Sequence, residues 1–249
     1  MSHPLQHERY VRSNAYEPQW VFDHLMGPHP LWLLEALTEQ IPIEPGMEVL
    51  DLGCGTALTS IFLAKEFGAR VTAADLWIDA AENAARIAAA GVSDLVRAVH
   101  AEAHALPFAP GHFDRVVSID AYHYFGTDDL YIGYISGFLR DGGRIGLVVP
   151  GVVDELTSVP EELVPYWEWD FCSFHSPGWW RRHWEKTGKV RVDCADMVAD
   201  GWADWLRFDE ATMEHGSGWR QKGAESSAAM LRADGGRHLG FTRVVATKV

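Results

Sequence analysis

The chain has 249 residues, a length that favours one large α/β domain with insertions over two small domains. Lysine and arginine number 21 against 35 for aspartate and glutamate, so the formal net charge is −14. This charge opposes docking on a polyphosphate backbone or an anionic membrane, so we expect neither nucleic acid nor a membrane as a partner.

The cysteines, the histidines and the N-terminus limit the class of protein further. Cys54, Cys172 and Cys194 are far apart and form no C-x-x-C pair, which predicts neither a disulfide framework nor a zinc site. The 12 histidines are scattered along the chain, so we expect no metal. The N-terminus has no apolar signal region, and no stretch approaches the roughly 18 apolar residues of a membrane helix. We therefore expect a cytoplasmic protein.

Short apolar runs alternate with helical periodicity up to residue 150, a pattern typical of βαβ units around a parallel sheet. In chain order the runs predict strands at 47–52, 70–75, 95–101, 113–120 and 144–150, with helices at 57–67, 79–90 and 127–140. Thr127 is the expected N-cap of the last helix, because two acidic residues follow it.

The composition changes after residue 150, where tryptophans accumulate and the periodicity weakens. Ser176 and Pro177 predict the start of a helix that runs to Thr187. Further expected elements are strands at 190–194 and 241–248, with an aromatic insertion at 201–223 between them. The aromatic segment that contains Trp179 is either packed core or a lid with aromatic walls for a cationic or planar substrate.

Chemistry is expected where the first strand ends, in the glycine turn Asp51-Leu52-Gly53-Cys54-Gly55. Such a turn before a helix presents backbone N–H groups and lets a ligand approach the main chain closely. Nicotinamide dinucleotides and S-adenosylmethionine both use this kind of cradle. A dinucleotide site expects a third glycine where this chain has Leu58, and Asp51 would repel a pyrophosphate but attract an ammonium group.

Residues 49–57 resemble the first motif of class I S-adenosylmethionine-dependent methyltransferases, with Ala57 in place of the family's third glycine. Asp75, at the end of the second strand, resembles the family's ribose-binding acid. Residues 100–108 resemble the adenine-binding loop of its quinone-methylating and cyclopropane-synthase-like members. The resemblance implies a Rossmann-like α/β fold with a seven-stranded, mostly parallel sheet flanked by helices. The expected parts of this single domain are an N-terminal helical arm (1–44), a cofactor-binding core (45–150), and an aromatic-rich cap with the last two strands (151–249).

The resemblance also implies a set of site residues. The expected cofactor-binding residues are Asp51, Gly53, Cys54, Gly55, Asp75, Leu76, Trp77, Glu102, Ala103 and Asp120, with Tyr16 and Trp20 from the arm. Tyr122, His123 and Tyr124 follow the fourth strand, at the sheet edge where ligands bind. We expect His123 to act as general base, because its ordinary pKa lies near neutrality, and the tyrosines to orient the acceptor unless one serves packing. His175 and Trp179 are the expected substrate contacts.

Three functions stay open at this point. The first is direct SN2 transfer of the methyl group to a small-molecule acceptor, with nitrogen or oxygen favoured as the acceptor atom. The second is another reaction of the same sulfonium, either aminocarboxypropyl transfer or cyclisation, both of which release methylthioadenosine. The third is a non-catalytic module that binds S-adenosylmethionine and uses its aromatic cap as an interface. The pattern does not distinguish a monomer from a homodimer.

Overall fold

The computed structural model describes residues 4–249, so the first three residues of the expected arm lie outside the described part. Its strands are β1 (Glu48–Leu52), β2 (Arg70–Asp75), β3 (Val96–His100), β4 (Phe113–Ile119), β5 (Leu139–Val152), β6 (Val190–Met197) and β7 (Leu239–Lys248). They form one sheet in the order β3-β2-β1-β4-β5-β7-β6. The first five strands pair in parallel, whereas β7 is antiparallel to both β5 and β6. The expected seven-stranded, mostly parallel sheet is therefore confirmed.

Helices flank this sheet. They are α1 (Pro18–His24), α2 (Pro30–Thr38), α3 (Leu58–Phe67), α4 (Ala80–Ala89), α5 (Tyr131–Ser136), α6 (Pro177–Glu185), α7 (Gly201–His215) and α8 (Gly218–Asp234). Short 3₁₀ turns lie at Ser13–Ala15, Tyr122–Tyr124, Glu161–Tyr166 and Trp169–Ser173. No helix among residues 4–249 has the length and apolar character needed to cross a bilayer.

Two buried hydrophobic clusters cover the two faces of the sheet. Val116 and Val117, neighbours in β4, belong to different clusters because successive strand side chains point to opposite faces. The second cluster includes Trp180 and Trp184, which are fully buried on α6. Their spacing of four residues puts both rings on one helix face. These two tryptophans are therefore packed core. The alternative of a lid with aromatic walls does not apply to them.

Local sequence explains where several elements begin. The hydroxyl of Ser176 accepts the N–H of Trp179 at 3.2 Å, and Pro177 is the first residue of α6, as predicted. The predicted strand at 70–75 coincides with β2. Local sequence alone therefore predicts these elements, because an apolar run ends at a glycine or a charged residue.

The last helix predicted before residue 150 was wrong in extent. The helix expected at 127–140 is reduced to α5, and Asp128 accepts the N–H of Leu130 in a turn, so Thr127 caps no helix. Gly133 and Gly137 lie in and directly after α5, and glycine weakens a helix interior. The segment 201–223, expected as an aromatic insertion, forms α7 and the start of α8.

Candidate active site

A cavity of about 360 Å³ opens at the carboxyl ends of the parallel strands. Its wall includes Gly53 after β1, Asp75 at the end of β2 and Asp120 after β4. The strand order reverses between β1 and β4, and ligands of open parallel sheets bind at such a switch point. We call this space the first cavity.

The glycine turn forms its floor. Gly53 has a φ of +73°, and a Cβ added there would lie 2.4 Å from Cβ of Ala121, so only glycine fits this close approach. The N–H groups of Gly53 and Cys54 donate to the carbonyl of Ala74 at 2.9 and 3.1 Å. Ala57 has a φ of 64°, so the position of the family's third glycine keeps the left-handed backbone without being glycine.

Asp75 is the most firmly held acid of the first cavity. Its Oδ2 accepts the N–H of Gly55 at 2.8 Å, and its Oδ1 accepts those of Trp77 and Ile78 at 2.8 and 2.9 Å. A carboxylate offers about four acceptor positions, so capacity remains for a ligand donor. The strand end and the glycine turn thus fix one carboxylate on the cavity wall.

Asp51 lies behind the turn and does not border the first cavity. Its side chain is fully buried, and its Oδ2 accepts the hydroxyls of Thr59 and Ser60, each at 2.6 Å. Burial raises the pKa of Asp51 to about 6. It therefore anchors the first turn of α3 instead of facing a ligand directly, which differs from the expected contact.

Other expected cofactor residues do border the first cavity. They are Cys54, Gly55, Leu76, Trp77, Glu102 and Ala103. Burial raises the pKa of the Cys54 thiol well above its ordinary value, so this cysteine is not a nucleophile near neutral pH. Glu102 bonds Nδ1 of His104 at 2.8 Å, an interaction that lowers the pKa of Glu102.

The arm contributes different residues from those expected. Tyr16 and Trp20 do not border the first cavity, and the Tyr16 hydroxyl donates to Glu66 at 3.1 Å instead. The arm instead contributes the segment from the end of α1 to the start of α2, with His24, Met26, Gly27, Pro28 and Pro30. The hydroxyl of Thr56 donates to the carbonyl of His24, which ties this segment to the glycine turn. Glycine and proline are concentrated at 27–30, which is typical of a loop, and this signal could have predicted the segment as part of the site.

A second cavity of about 400 Å³ adjoins the first. Both cavities share five wall residues, namely Met26, Gly27, Pro28, Asp120 and Tyr124. The second cavity is completed by the turn Trp169–Ser173 and by α7 and α8. The α7 residues Asp209 and Thr212 were not predicted, although their spacing of three places them on one helix face.

Asp120 lies at the junction of the two cavities. Its φ of 54° is left-handed, which is unusual for a residue other than glycine and costs about 1 kcal/mol. A Cβ added to Gly27 would lie 1.9 Å from its Oδ2, so Gly27 leaves the space for this carboxyl group. Burial raises the pKa of Asp120 to about 8. A partly buried acid between two cavities is a typical functional position.

The three residues after β4 point to different places. Tyr122 is fully buried, with its ring 5.7 Å from Trp180, and its hydroxyl has no hydrogen-bond partner in the described part of the chain. His123 borders the second cavity only, and burial lowers its pKa to about 3. Tyr124 is 52% exposed and borders both cavities. Tyr122 is therefore the packing member of the three.

The two expected substrate contacts border neither cavity. The rings of His175 and Trp179 stack with centroids 3.6 Å apart, and Nδ1 of His175 lies 3.1 Å from Oε2 of Glu155. Within residues 4–249 no group of three or more histidine, cysteine, aspartate or glutamate side chains is arranged to hold a metal ion.

Comparison with known proteins agrees with this geometry. Residues 49–143 match the model of a methyltransferase domain. Methyltransferase GfsG of Streptomyces halstedii is 31% identical over 134 residues, 52% of this chain and 48% of that protein. The 2-methyl-6-phytyl-1,4-hydroquinone methyltransferase of Synechocystis is 26% identical over 204 residues, 76% of this chain and 62% of the relative. The chain thus spans about half to three fifths of these curated relatives.

A solved structure extends the likeness to the fold as a whole. Phosphoethanolamine N-methyltransferase 2 of Haemonchus contortus, in complex with S-adenosyl-L-methionine, superposes with a TM-score of 0.72 at 19% identity. The match covers 100% of this chain and 60% of that chain. Residues 49–143 thus match a methyltransferase domain, and the sheet order and the glycine turn are similar to those of class I S-adenosylmethionine-dependent methyltransferases.

Proposed function

We propose that the chain transfers the methyl group of S-adenosylmethionine, held in the first cavity, to a small-molecule acceptor held in the second. The observation that carries this proposal is the wall that the two cavities share, with Asp120 at their junction. A transfer reaction needs two sites that meet at the reacting atoms, and the alignment of donor and acceptor supplies much of the rate. The whole arrangement lies at the usual ligand-binding edge of the sheet.

The residues of the first cavity suit this cofactor. Asp75 would accept the ribose hydroxyls, and the Glu102 and Ala103 loop would border the adenine. Gly53 and Gly55 of the glycine turn border the same cavity, where they present main chain without a side chain. When bound, S-adenosylmethionine supplies an electrophilic methyl group, and the acceptor lone pair displaces S-adenosylhomocysteine as the leaving group.

Asp120 is our candidate for the proton acceptor in place of His123. A group that takes a proton works best when its pKa lies near the working pH, and burial raises the pKa of Asp120 to about 8. The pKa of His123, lowered to about 3, makes it a weak base near neutrality. His123 keeps a role in our proposal as a hydrogen-bonding wall residue of the acceptor site, and Tyr124 would orient the acceptor at the junction.

The acceptor atom is proposed to be nitrogen or oxygen, because a carboxylate at the junction is useful when the nucleophile carries an N–H or O–H proton. The names of the relatives do not determine the acceptor atom. One is named for a phytyl hydroquinone, and the solved structure is named for phosphoethanolamine N-methylation.

The test uses S-adenosylmethionine labelled in its methyl group, incubated with the protein and a fractionated small-molecule extract. The proposal predicts S-adenosylhomocysteine and a labelled product in equal amounts, with turnover reduced in an Asp120→Asn variant. Release of methylthioadenosine would contradict methyl transfer and would indicate aminocarboxypropyl transfer or cyclisation instead. Cofactor binding without any turnover across the fractions would favour the non-catalytic module.

A further inference from the structure

Residues from four elements of the second cavity wall carry unpartnered polar atoms. They are Nδ1 of His123, Oδ1 of Asp170, Oδ2 of Asp209, Oγ1 of Thr212 and Oγ of Ser227, all buried and without a geometric hydrogen-bond partner within residues 4–249. Buried polar groups of native proteins are almost always paired, and leaving one unpaired costs about 1–3 kcal/mol. A cavity whose wall residues carry five of them suits a ligand that supplies the partners.

The charges on the wall favour a cation. Four carboxyl groups border the second cavity, those of Asp120, Glu168, Asp170 and Asp209. Arg220 is the one lysine or arginine on the described wall, and its Nε already donates to the carbonyl of Leu25 at 2.8 Å. The Arg220 guanidinium also lies 4.8 Å from the ring centre of Trp219. An anionic acceptor would therefore meet an excess of negative charge.

Aromatic rings complete the wall. Phe171 and Phe174 stack with centroids 4.7 Å apart, and Trp205 and Phe208 contribute from α7. The face of an aromatic ring attracts a cation within about 6 Å of its centre. The combination of ring faces with acidic groups matches an organic cation better than it matches a neutral polyol.

Asp209 is the best placed acid for direct pairing. It is 6% exposed, and Thr212, one turn further along α7, is 2% exposed. Burial raises the pKa of Asp209 to about 7, although Ser227 and Arg232 act in the opposite direction. Arg232 offsets only part of the effect of burial, and its guanidinium pairs with Glu210 at 2.8 Å.

On the basis of the proposed function, we propose that the acceptor is a small organic cation, with an ammonium group on an aromatic or apolar body, and that Asp209 pairs with its charge. The Thr212 hydroxyl would accept a second N–H of the same group. This assigns a substrate class to the second cavity and makes Asp209 a specificity-determining residue.

The experiment compares three probes of similar size and different charge, phenethylamine, 2-phenylethanol and 3-phenylpropionate. Each is titrated by calorimetry into the full chain saturated with S-adenosylhomocysteine. We expect phenethylamine to bind at least about tenfold more tightly than the other two, a difference of about 1.4 kcal/mol. Equal affinity for the three probes, preference for the propionate, or no phenethylamine binding at millimolar concentration would overturn the inference.

Variants test which side chain determines the preference for a cation. Asp209→Asn should lose about tenfold in phenethylamine affinity, while Glu214→Gln, the same charge change on the exposed side of α7, should stay within about twofold of the parent. Thr212→Val provides a second, uncharged variant of the same wall, and melting temperatures establish that each variant is folded. An equal loss in Asp209→Asn and Glu214→Gln would contradict direct pairing.

The inference and the proposed function fail in different ways. If S-adenosylhomocysteine binds and methyl label is transferred, but cations are not preferred, only the acceptor class is wrong. If no methyl label is transferred to any acceptor, the proposed function is wrong whatever the probes do.

Discussion

Replacement of Asp75 by asparagine tests how the first cavity holds its cofactor. Asparagine keeps one acceptor oxygen, which can stay with the N–H groups of Trp77 and Ile78. Its NH₂ then faces the N–H of Gly55, where Oδ2 accepts at 2.8 Å in the parent, so two donors oppose each other. The variant thus loses both the negative charge and the oxygen that is most available to a ribose hydroxyl.

The expected loss follows from those contacts. A hydrogen bond to a charged group contributes about 1.5–3 kcal/mol. Losing one of two such bonds to the ribose corresponds to about 2 kcal/mol, or roughly a 30-fold rise in Kd for S-adenosylhomocysteine. The opposed N–H groups should also lower the free energy of unfolding by about 1 kcal/mol.

Calorimetric titration of S-adenosylhomocysteine into both proteins measures this change. Asp79→Asn is the matched control, because Asp79 is exposed and caps α4 by accepting the N–H of Ala81 at 2.7 Å. Asparagine caps a helix about as well as aspartate, so this variant loses the same charge without disturbing the helix. Affinity within about threefold of the parent in a folded Asp75→Asn protein would refute the reasoning.

Three more changes probe the junction and the core. Gly27→Ala puts a methyl group 1.9 Å from Oδ2 of Asp120, so the carboxyl group must move. We therefore expect kcat to fall at least about tenfold, with little change in S-adenosylhomocysteine affinity. Unaltered turnover would contradict a role for Asp120 in its present position. Because burial raises the pKa of Asp120 to about 8, its ionisation destabilises the folded state progressively from its unfolded pKa of about 4 upward. Asp120→Asn removes this penalty, so its stability advantage over the parent in urea unfolding should grow by up to about 1.4 kcal/mol per pH unit between pH 6 and pH 8, and a pH-independent difference would disprove the shift. Trp180→Ala empties a fully buried site and should cost about 3–5 kcal/mol in the same assay, whereas a loss below about 1 kcal/mol would show that the ring is not core.

The central sheet follows from local sequence. β2 coincides with its predicted range because an apolar run is bounded by an arginine and an aspartate. α7 could not be predicted in this way. Its 15 residues mix aromatic, charged and small side chains, and their places are decided by contacts with distant elements. Trp205, for example, stacks on Phe241 of β7 with centroids 4.8 Å apart.

The candidate site was predictable only where it lies beside a strand end. Gly53 and Asp75 directly adjoin strands, and parallel strands bring such residues to one edge. The prediction of Trp20 and Trp179 as site residues depends on their aromatic character. The sequence around each residue does not determine which way its side chain points. Asp209 lies far along the chain, and only the packing of α7 brings it to the second cavity.

A crystal structure of the chain with S-adenosylhomocysteine would show directly whether the two cavities hold donor and acceptor. We expect the ribose hydroxyls within hydrogen-bond distance of Asp75, and the sulfur beside Asp120 and Tyr124, facing the second cavity. A ligand outside the first cavity, or one whose sulfur faces away from the second cavity, would contradict methyl transfer between the two cavities.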